Sequence, residues 1–266
     1  METLDETRKK YFMDDPREGD RLASKVDAHA FVRNYLSSDL DQLSSGTILE
    51  AGCGPGVFLE DIGKNYPQHV VTGVDISAAR VEQAAARIEA LPNANAMKAD
   101  IYELPFDDNH FDLIYSRFLF EYLKEPVKAA KELLRVCKPG GTLIIQDLDG
   151  QFSFYPALSD KMEKVLAMLE TATGFDANVG RKLYAIVRSA GFDFTHLATS
   201  MYHNYFGSID YKNLELWKLK LDIAFNNISQ LFGDDAESLK DEILKALLDE
   251  DSVMFSYLFT LTFKKP

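Results

Sequence analysis

A chain of 266 residues, 46% hydrophobic and 27% charged, is long enough to bury a full core and has the make-up of a globular protein. Its net charge of −13 speaks against a surface built to hold nucleic-acid phosphates, and its two cysteines are too few for a disulfide framework. No apolar run approaches the roughly 18 residues of a membrane span, and the charged opening M-E-T-L-D-E-T-R-K-K lacks the apolar stretch of a secretory signal, so a cytoplasmic protein with neither membrane nor nucleic-acid partner is expected.

Residues 1–20 are polar around an island of Tyr11, Phe12 and Met13. A helical spacing follows in Leu22, Val26, His29, Ala30 and Arg33, with Phe31 and Tyr35 on neighbouring faces. Thr47, Ile48 and Leu49 then form a short apolar run suited to a buried strand, closed by Glu50. Gly52, Gly54 and Gly56 alternate with Ala51, Cys53 and Pro55 before a helix from Val57 to about Asn65, which Pro67 ends. A strand that passes through glycines into a helix is expected to leave unpaired backbone N–H groups aimed into a crevice, with no Cβ in a ligand's way.

Val70 to Val74 reads as a second buried strand, ending in Asp75 and Ile76. Asp75 stands 23 residues after Gly52, the distance at which a carboxylate accepts from the ribose hydroxyls of a nucleoside. Ala78 to Ala90 is a helix with Val81, Ala84, Ala85 and Ile88 on one face, and the next strand ends at Asp100 and Ile101. Phe111 to Tyr115 is a central strand with Ser116 and Arg117 at its carboxyl end. A helix from Pro126 to Val136 leads through the turn Pro139-Gly140-Gly141 to a strand over Thr142–Gln146.

The run E-A-G-C-G-P-G, Glu50 to Gly56, resembles the first motif of the class I S-adenosylmethionine-dependent methyltransferases of small-molecule type. A dinucleotide fingerprint would place a third glycine at Val57. The resemblance runs through Asp75, Asp100, the 111–117 strand and the Pro-Gly-Gly turn. It implies S-adenosyl-L-methionine as cofactor, held by Arg21, Glu50, Gly52, Gly54, Gly56, Asp75, Ile76, Asp100, Ile101, Ser116 and Arg117. Arg21 is the candidate for the cofactor's carboxylate, since a guanidinium fits a carboxylate with two parallel bonds. The fourth-strand motif departs from the family's usual S-x-x-x-L-x-H, because Glu121-Tyr122 stands where a histidine is often found.

Five strand–helix units in order predict an α/β fold: a doubly wound, mostly parallel seven-stranded sheet with an antiparallel last strand. Strands six and seven are expected over Thr195–Ser200 and Ser256–Phe263. Residues 1–46 are read as an N-terminal helical lid and residues 47–266 as the methyltransferase domain, with helical cap insertions near 151–179 and 211–250. In the second insertion Leu214, Trp217, Leu221, Ala224, Ile228 and Leu231 make one apolar stripe.

The resemblance implies in-line transfer of a methyl group to a small-molecule acceptor. An acceptor hydroxyl or amine must lose a proton, and His203 is the first candidate base, with His196, Glu121 and several tyrosines behind it. Phe152, Phe154, Tyr155, Tyr202, Tyr205, Phe206 and Trp217 cluster in the insertions, which fits an aromatic or partly apolar acceptor. No metal-ligand spacing is present and no metal is expected. The alternatives are a module that binds S-adenosylmethionine without methyl transfer, and an NAD-linked oxidoreductase.

Overall fold

A computed structural model describes residues 12–232 and 235–266. Tyr11 and the side chain of Leu231 lie outside the described residues. The sheet has seven strands: β1 (Thr47–Ala51), β2 (Val70–Asp75), β3 (Ala94–Lys98), β4 (Phe111–Arg117), β5 (Cys137–Tyr155), β6 (Asp193–Phe206) and β7 (Val253–Lys264). Their spatial order is β3-β2-β1-β4-β5-β7-β6. β1 to β5 pair in parallel, and β7 runs antiparallel to both its neighbours. This is the predicted doubly wound sheet with its reversed last strand.

The helices follow from local signals. α1 (Pro16–Lys25) starts at the cap Asp15, whose carboxylate accepts from the Arg17 amide, with proline at its first turn. The predicted continuous helix through Leu22 and Tyr35 breaks at Val26, which is extended. Asp27 then caps a new start by accepting from the Ala30 amide at 2.9 Å. α2 (Ala28–Phe31) passes through a π-helical turn at Val32–Leu36 into α3 (Ser37–Gln42). The Asp-x-x-Ala cap was written in the sequence, but the apolar spacing concealed it.

α4 (Val57–Asn65), α5 (Ala78–Ile88) and α6 (Pro126–Val136) cover the sheet, joined by α8 (Leu183–Ala190). One face buries Leu49, Phe111, Leu133, Leu183 and Phe263. The other buries Leu36, Ile48, Leu59, Val71 and Tyr115. The additions make a third cluster over the carboxyl ends of the strands. There α7 (Asp160–Thr173), α9 (Tyr211–Phe232) and α10 (Asp235–Leu248) bury Met162, Leu169, Trp217, Leu221 and Leu239, together with Phe12 and Met13.

Strand lengths are the main correction. β5 does not stop at Gln146 but runs to Tyr155, because β7 pairs along it as far as Tyr155–Val253. A register shift between Asp149 and Ser153, where Gly150 takes a φ of +76°, bends the ribbon there. The first insertion therefore begins beyond residue 155 rather than at 151. β6 and β7 are likewise longer than predicted, and form an antiparallel ribbon that overhangs the sheet's carboxyl edge. No helix among the described residues is long and apolar enough to cross a membrane.

Candidate functional site

At that carboxyl edge lies a cavity of about 620 Å³, walled by the tips of β1 to β6, by α1 and by α9. This is where a doubly wound sheet offers a crevice, since parallel strands present their carboxyl ends together. Its size is that of a small-molecule site.

The glycine turn forms one wall, and its hydrogen bonds correct the sequence reading. The amides of Gly52 and Cys53 both donate to the Val74 carbonyl at 2.9 Å, and that of Gly56 donates to the Cys53 carbonyl at 3.0 Å. The Gly54 amide donates to Asp75 Oδ2 at 2.9 Å. The turn is thus sewn to the end of β2, and these four donors are not free to cradle a phosphate. What faces the cavity is bare backbone: a Cβ on Gly54 would meet nothing within 4 Å.

Gly56 has a different duty. Its φ is +76°, and a Cβ there would come within 2.8 Å of the Ala84 Cβ on α5. It is off the cavity wall and permits α4 and α5 to approach. Gly56→Ala combines left-handed strain with overpacking, so it should cost about 2–5 kcal/mol and lower the melting temperature by scanning calorimetry.

Asp75 is half-buried, with Oδ1 accepting from the Ser77 amide and Oδ2 from Gly54, both at 2.9 Å. Burial raises its pKa, and the two amides pull the other way. Ser77, not Asp75, caps α5. Two of the carboxylate's roughly four lone-pair positions remain for a ligand. Beside it Ile76 is 50% exposed on the wall, an apolar side chain left uncovered by the protein. Glu50 is buried on the wall with Oε2 lacking a hydrogen-bond partner, and burial drives its pKa well up. Asp100 and Ile101 reach the wall from a turn two residues beyond β3, where Asp100 Oδ1 accepts from the Tyr102 amide at 2.9 Å. Ser116 does not reach it. It lies within β4, 2% exposed and off the cavity wall, because that strand continues to Arg117.

Arg21 lines the cavity, but its guanidinium already grips Glu18 with bonds of 2.5 and 2.6 Å, both side chains buried. The fork meant for a ligand's carboxylate is spent within α1, and the Glu18/Arg21 spacing of i, i+3 was the signal for it.

On the other half of the wall, β4, β5 and β6 bring together groups that the sequence left scattered. Gln151 on β5 links two opposite charges: its Nε2 donates to Glu121 Oε2, and its Oε1 accepts from Lys220 Nζ at 2.9 Å. Glu121 is 3% exposed. Burial raises its pKa to about 7, partly opposed by Lys220, while burial lowers Lys220 to about 8. Behind them Asp147 accepts from the Glu121 and Leu148 amides; burial and the Glu121 charge push its pKa well up.

His203 on β6 is on the wall and buried. Its Nδ1 lies 2.8 Å from Ser256 Oγ, and its ring packs on Trp217. Burial, with Lys25 and Lys220 nearby, holds its pKa well below the usual value, so the ring is neutral. His196 stands exposed on β6, off the wall. Of the aromatic side chains expected around an acceptor, Tyr202 lines the cavity. Phe154 and Trp217 are buried in the cap, and Tyr155 and Phe206 point to solvent, 71% and 72% exposed. The wall's other rings are Phe12, Phe58, Tyr102, Phe118 and Tyr122. Gln151 and Lys220 were missed; a lysine three residues after Trp217, beside an otherwise apolar stripe, was the available sign.

Segment 12–15 is tied across the site. Arg80 donates to the Asp15 carbonyl at 2.7 Å, Ser77 Oγ to Asp14 Oδ1 at 2.6 Å, and Asn227 to the Phe12 carbonyl at 2.8 Å.

Residues 49–145 match the family described as a methyltransferase domain. The chain is 34% identical over 139 residues to 2-methyl-6-phytyl-1,4-hydroquinone methyltransferase of Synechocystis sp., a stretch that covers 52% of this chain and 42% of that protein. It spans 40–50% of the length of the first curated relatives that it matches. Among solved structures, a SAM-dependent methyltransferase from Aquifex aeolicus superposes with a TM-score of 0.54 over 97% of this chain and 100% of that one, at 18% identity. Geranyl diphosphate C-methyltransferase from Streptomyces coelicolor A3(2) superposes with a TM-score of 0.54 over 90% and 76%, at 16% identity. These two likenesses are likenesses of fold.

Proposed function

We propose, from the premise that this chain belongs to the class I S-adenosylmethionine-dependent methyltransferases, that it moves a methyl group from that cofactor to a small-molecule acceptor. The observation that carries the reading is the glycine turn with its amides spent on β2, flanked by carboxylates at neighbouring strand tips. With those amides spent, the turn offers an uncharged adenosine bare backbone rather than a row of donors for a pyrophosphate.

The residues present fit the cofactor. Asp75 has lone pairs left for ribose hydroxyls, Ile76 offers an apolar surface beside them, and Asp100 with Ile101 borders the place for adenine. Glu50, on the wall with Oε2 buried and lacking a hydrogen-bond partner, is the candidate for an ammonium group. When bound, the cofactor supplies an activated sulfonium methyl. The chain's own work is to align the acceptor, exclude water and take up a proton.

For that proton we assign Glu121 rather than His203. Glu121 keeps a carboxylate with a pKa of about 7 on the wall, supported by the Gln151–Lys220 relay. His203 is a much weaker base at its depressed pKa, and its Nδ1 is engaged with Ser256. Residues 12–46 and the cap of α7, α9 and α10 act in this reading as the cover over the two ligands.

S-adenosylhomocysteine should bind in calorimetry with a Kd in the micromolar range, at least 100-fold tighter than NAD. Equal or inverted preference removes the reading. A labelled-methyl screen against small phenols, amines and thiols then separates transfer from binding alone.

A further inference from the structure

The acceptor side of the cavity carries charges of both signs. Arg21 is closed on Glu18 at 2.5 Å, and Lys220 is linked through Gln151 to Glu121. Lys25 from α1 and Arg117 from the tip of β4 line the same wall, and burial lowers the Lys25 pKa to about 7. Among the described residues no carboxylate lies within ion-pair distance of either.

Both instead flank one ring. Lys25 Nζ is 5.6 Å and Arg117 Cζ 6.0 Å from the centroid of Tyr202. Arg117 also lies 3.9 Å over Phe118, and its Nε donates to Gln146 at 2.9 Å. These contacts, with Tyr202 beside the guanidinium, hold its plane in place. The lowering of the Lys25 pKa by burial, with Arg21 and Arg117 nearby, is the mark of a cost in holding two cations in a partly desolvated space, and a bound anion removes that cost. The place matters as well. Gly54, Asp75 and Asp100 mark the cofactor at the tips of β1 to β3, whereas Arg117, Tyr202 and Glu121 lie toward β4 and β6. In a protein of net charge −13, a cationic pair in the cavity is a local reversal that also selects what enters.

We infer that Lys25 and Arg117 form an anion seat, and that the acceptor methylated here carries a carboxylate or an equivalent acidic group set against Tyr202. The inference rests on the methyltransferase reading and adds the acceptor's chemical class. It also moves Arg117, which the sequence assigns to the cofactor, to the acceptor.

The test uses the full chain saturated with S-adenosylhomocysteine, titrated with benzoate, 4-hydroxybenzoate, phenylacetate and hexanoate, each against its neutral primary amide. At least one acid should bind 10-fold or more tightly than its amide. Lys25→Met, at the exposed mouth, and Arg117→Met should each erase most of that preference and leave S-adenosylhomocysteine affinity within about threefold. If no acid outbinds its amide, the inference fails. It also fails if either variant weakens S-adenosylhomocysteine strongly while sparing methylthioadenosine, which lacks the carboxylate; the seat then serves the cofactor. Absence of S-adenosylhomocysteine binding in the unaltered protein would instead sink the methyltransferase reading itself. Because the comparison of acid with amide needs no substitution, a misfolded Arg117→Met leaves it decisive.

Discussion

Asp75→Ala is expected to weaken S-adenosylhomocysteine binding by about 10²–10³-fold, or about 2.7–4.1 kcal/mol. Two effects add. The carboxylate is the proposed acceptor for ribose hydroxyls, and a hydrogen bond to a charged group is worth about 1.5–3 kcal/mol. It also receives the Gly54 and Ser77 amides, so its loss unties the turn from β2 and leaves two donors to find water. Asp75→Asn separates the two. One amide oxygen can still accept from Gly54, while the charge is gone, and an intermediate loss of about tenfold is expected. Calorimetry gives the affinities, and a melting curve of each variant shows that the fold stands. An alanine variant that binds within threefold of the parent would mean that the nucleoside is held elsewhere.

Glu121→Gln should lower methyl transfer to an acceptor found in the screen by about 10²–10⁴-fold, the span of general base catalysis. S-adenosylhomocysteine affinity should not change, since Glu121 lies toward β5 and β6. The pH profile carries the sign. Burial raises the Glu121 pKa to about 7, so the base form appears, and the rate climbs, as pH rises through that value. Lys220, lowered to about 8, loses its charge above that pH, and with it the support for the Glu121 carboxylate. Lys220→Met removes that support at every pH, so Glu121 should hold its proton to a higher pH and the rising limb should shift in the alkaline direction. A Glu121→Gln enzyme with an unaltered rate and the same rising limb would transfer the role to another group.

Much of the proposed cofactor half was legible because it is local. Glycines at 52 and 54, an acid after each of two apolar runs and the Pro-Gly-Gly turn all lie next to the strands that carry them. A parallel sheet needs only its strand order to bring consecutive tips to one edge. Even there, short-range hydrogen bonds decided the details. The sequence left the turn amides open, and the fold closed them on Val74 and Asp75. It placed Arg21 on a ligand, whereas Glu18, three residues before it, takes the guanidinium.

Of the acceptor half, only Glu121, His203 and Tyr202 stood among the candidates that the sequence offered. Gln151 and Lys220 are 69 residues apart, and they meet only because β5 continues past Gly150 and α9 folds back over it. Lys25 and Arg117 share the Tyr202 ring across three elements. Spacing along the chain records which face of its own helix or strand a side chain takes. Which charges end up without partners depends on how distant elements pack, so the proposed seat, and the choice of Glu121 among the candidate bases, rest on tertiary structure.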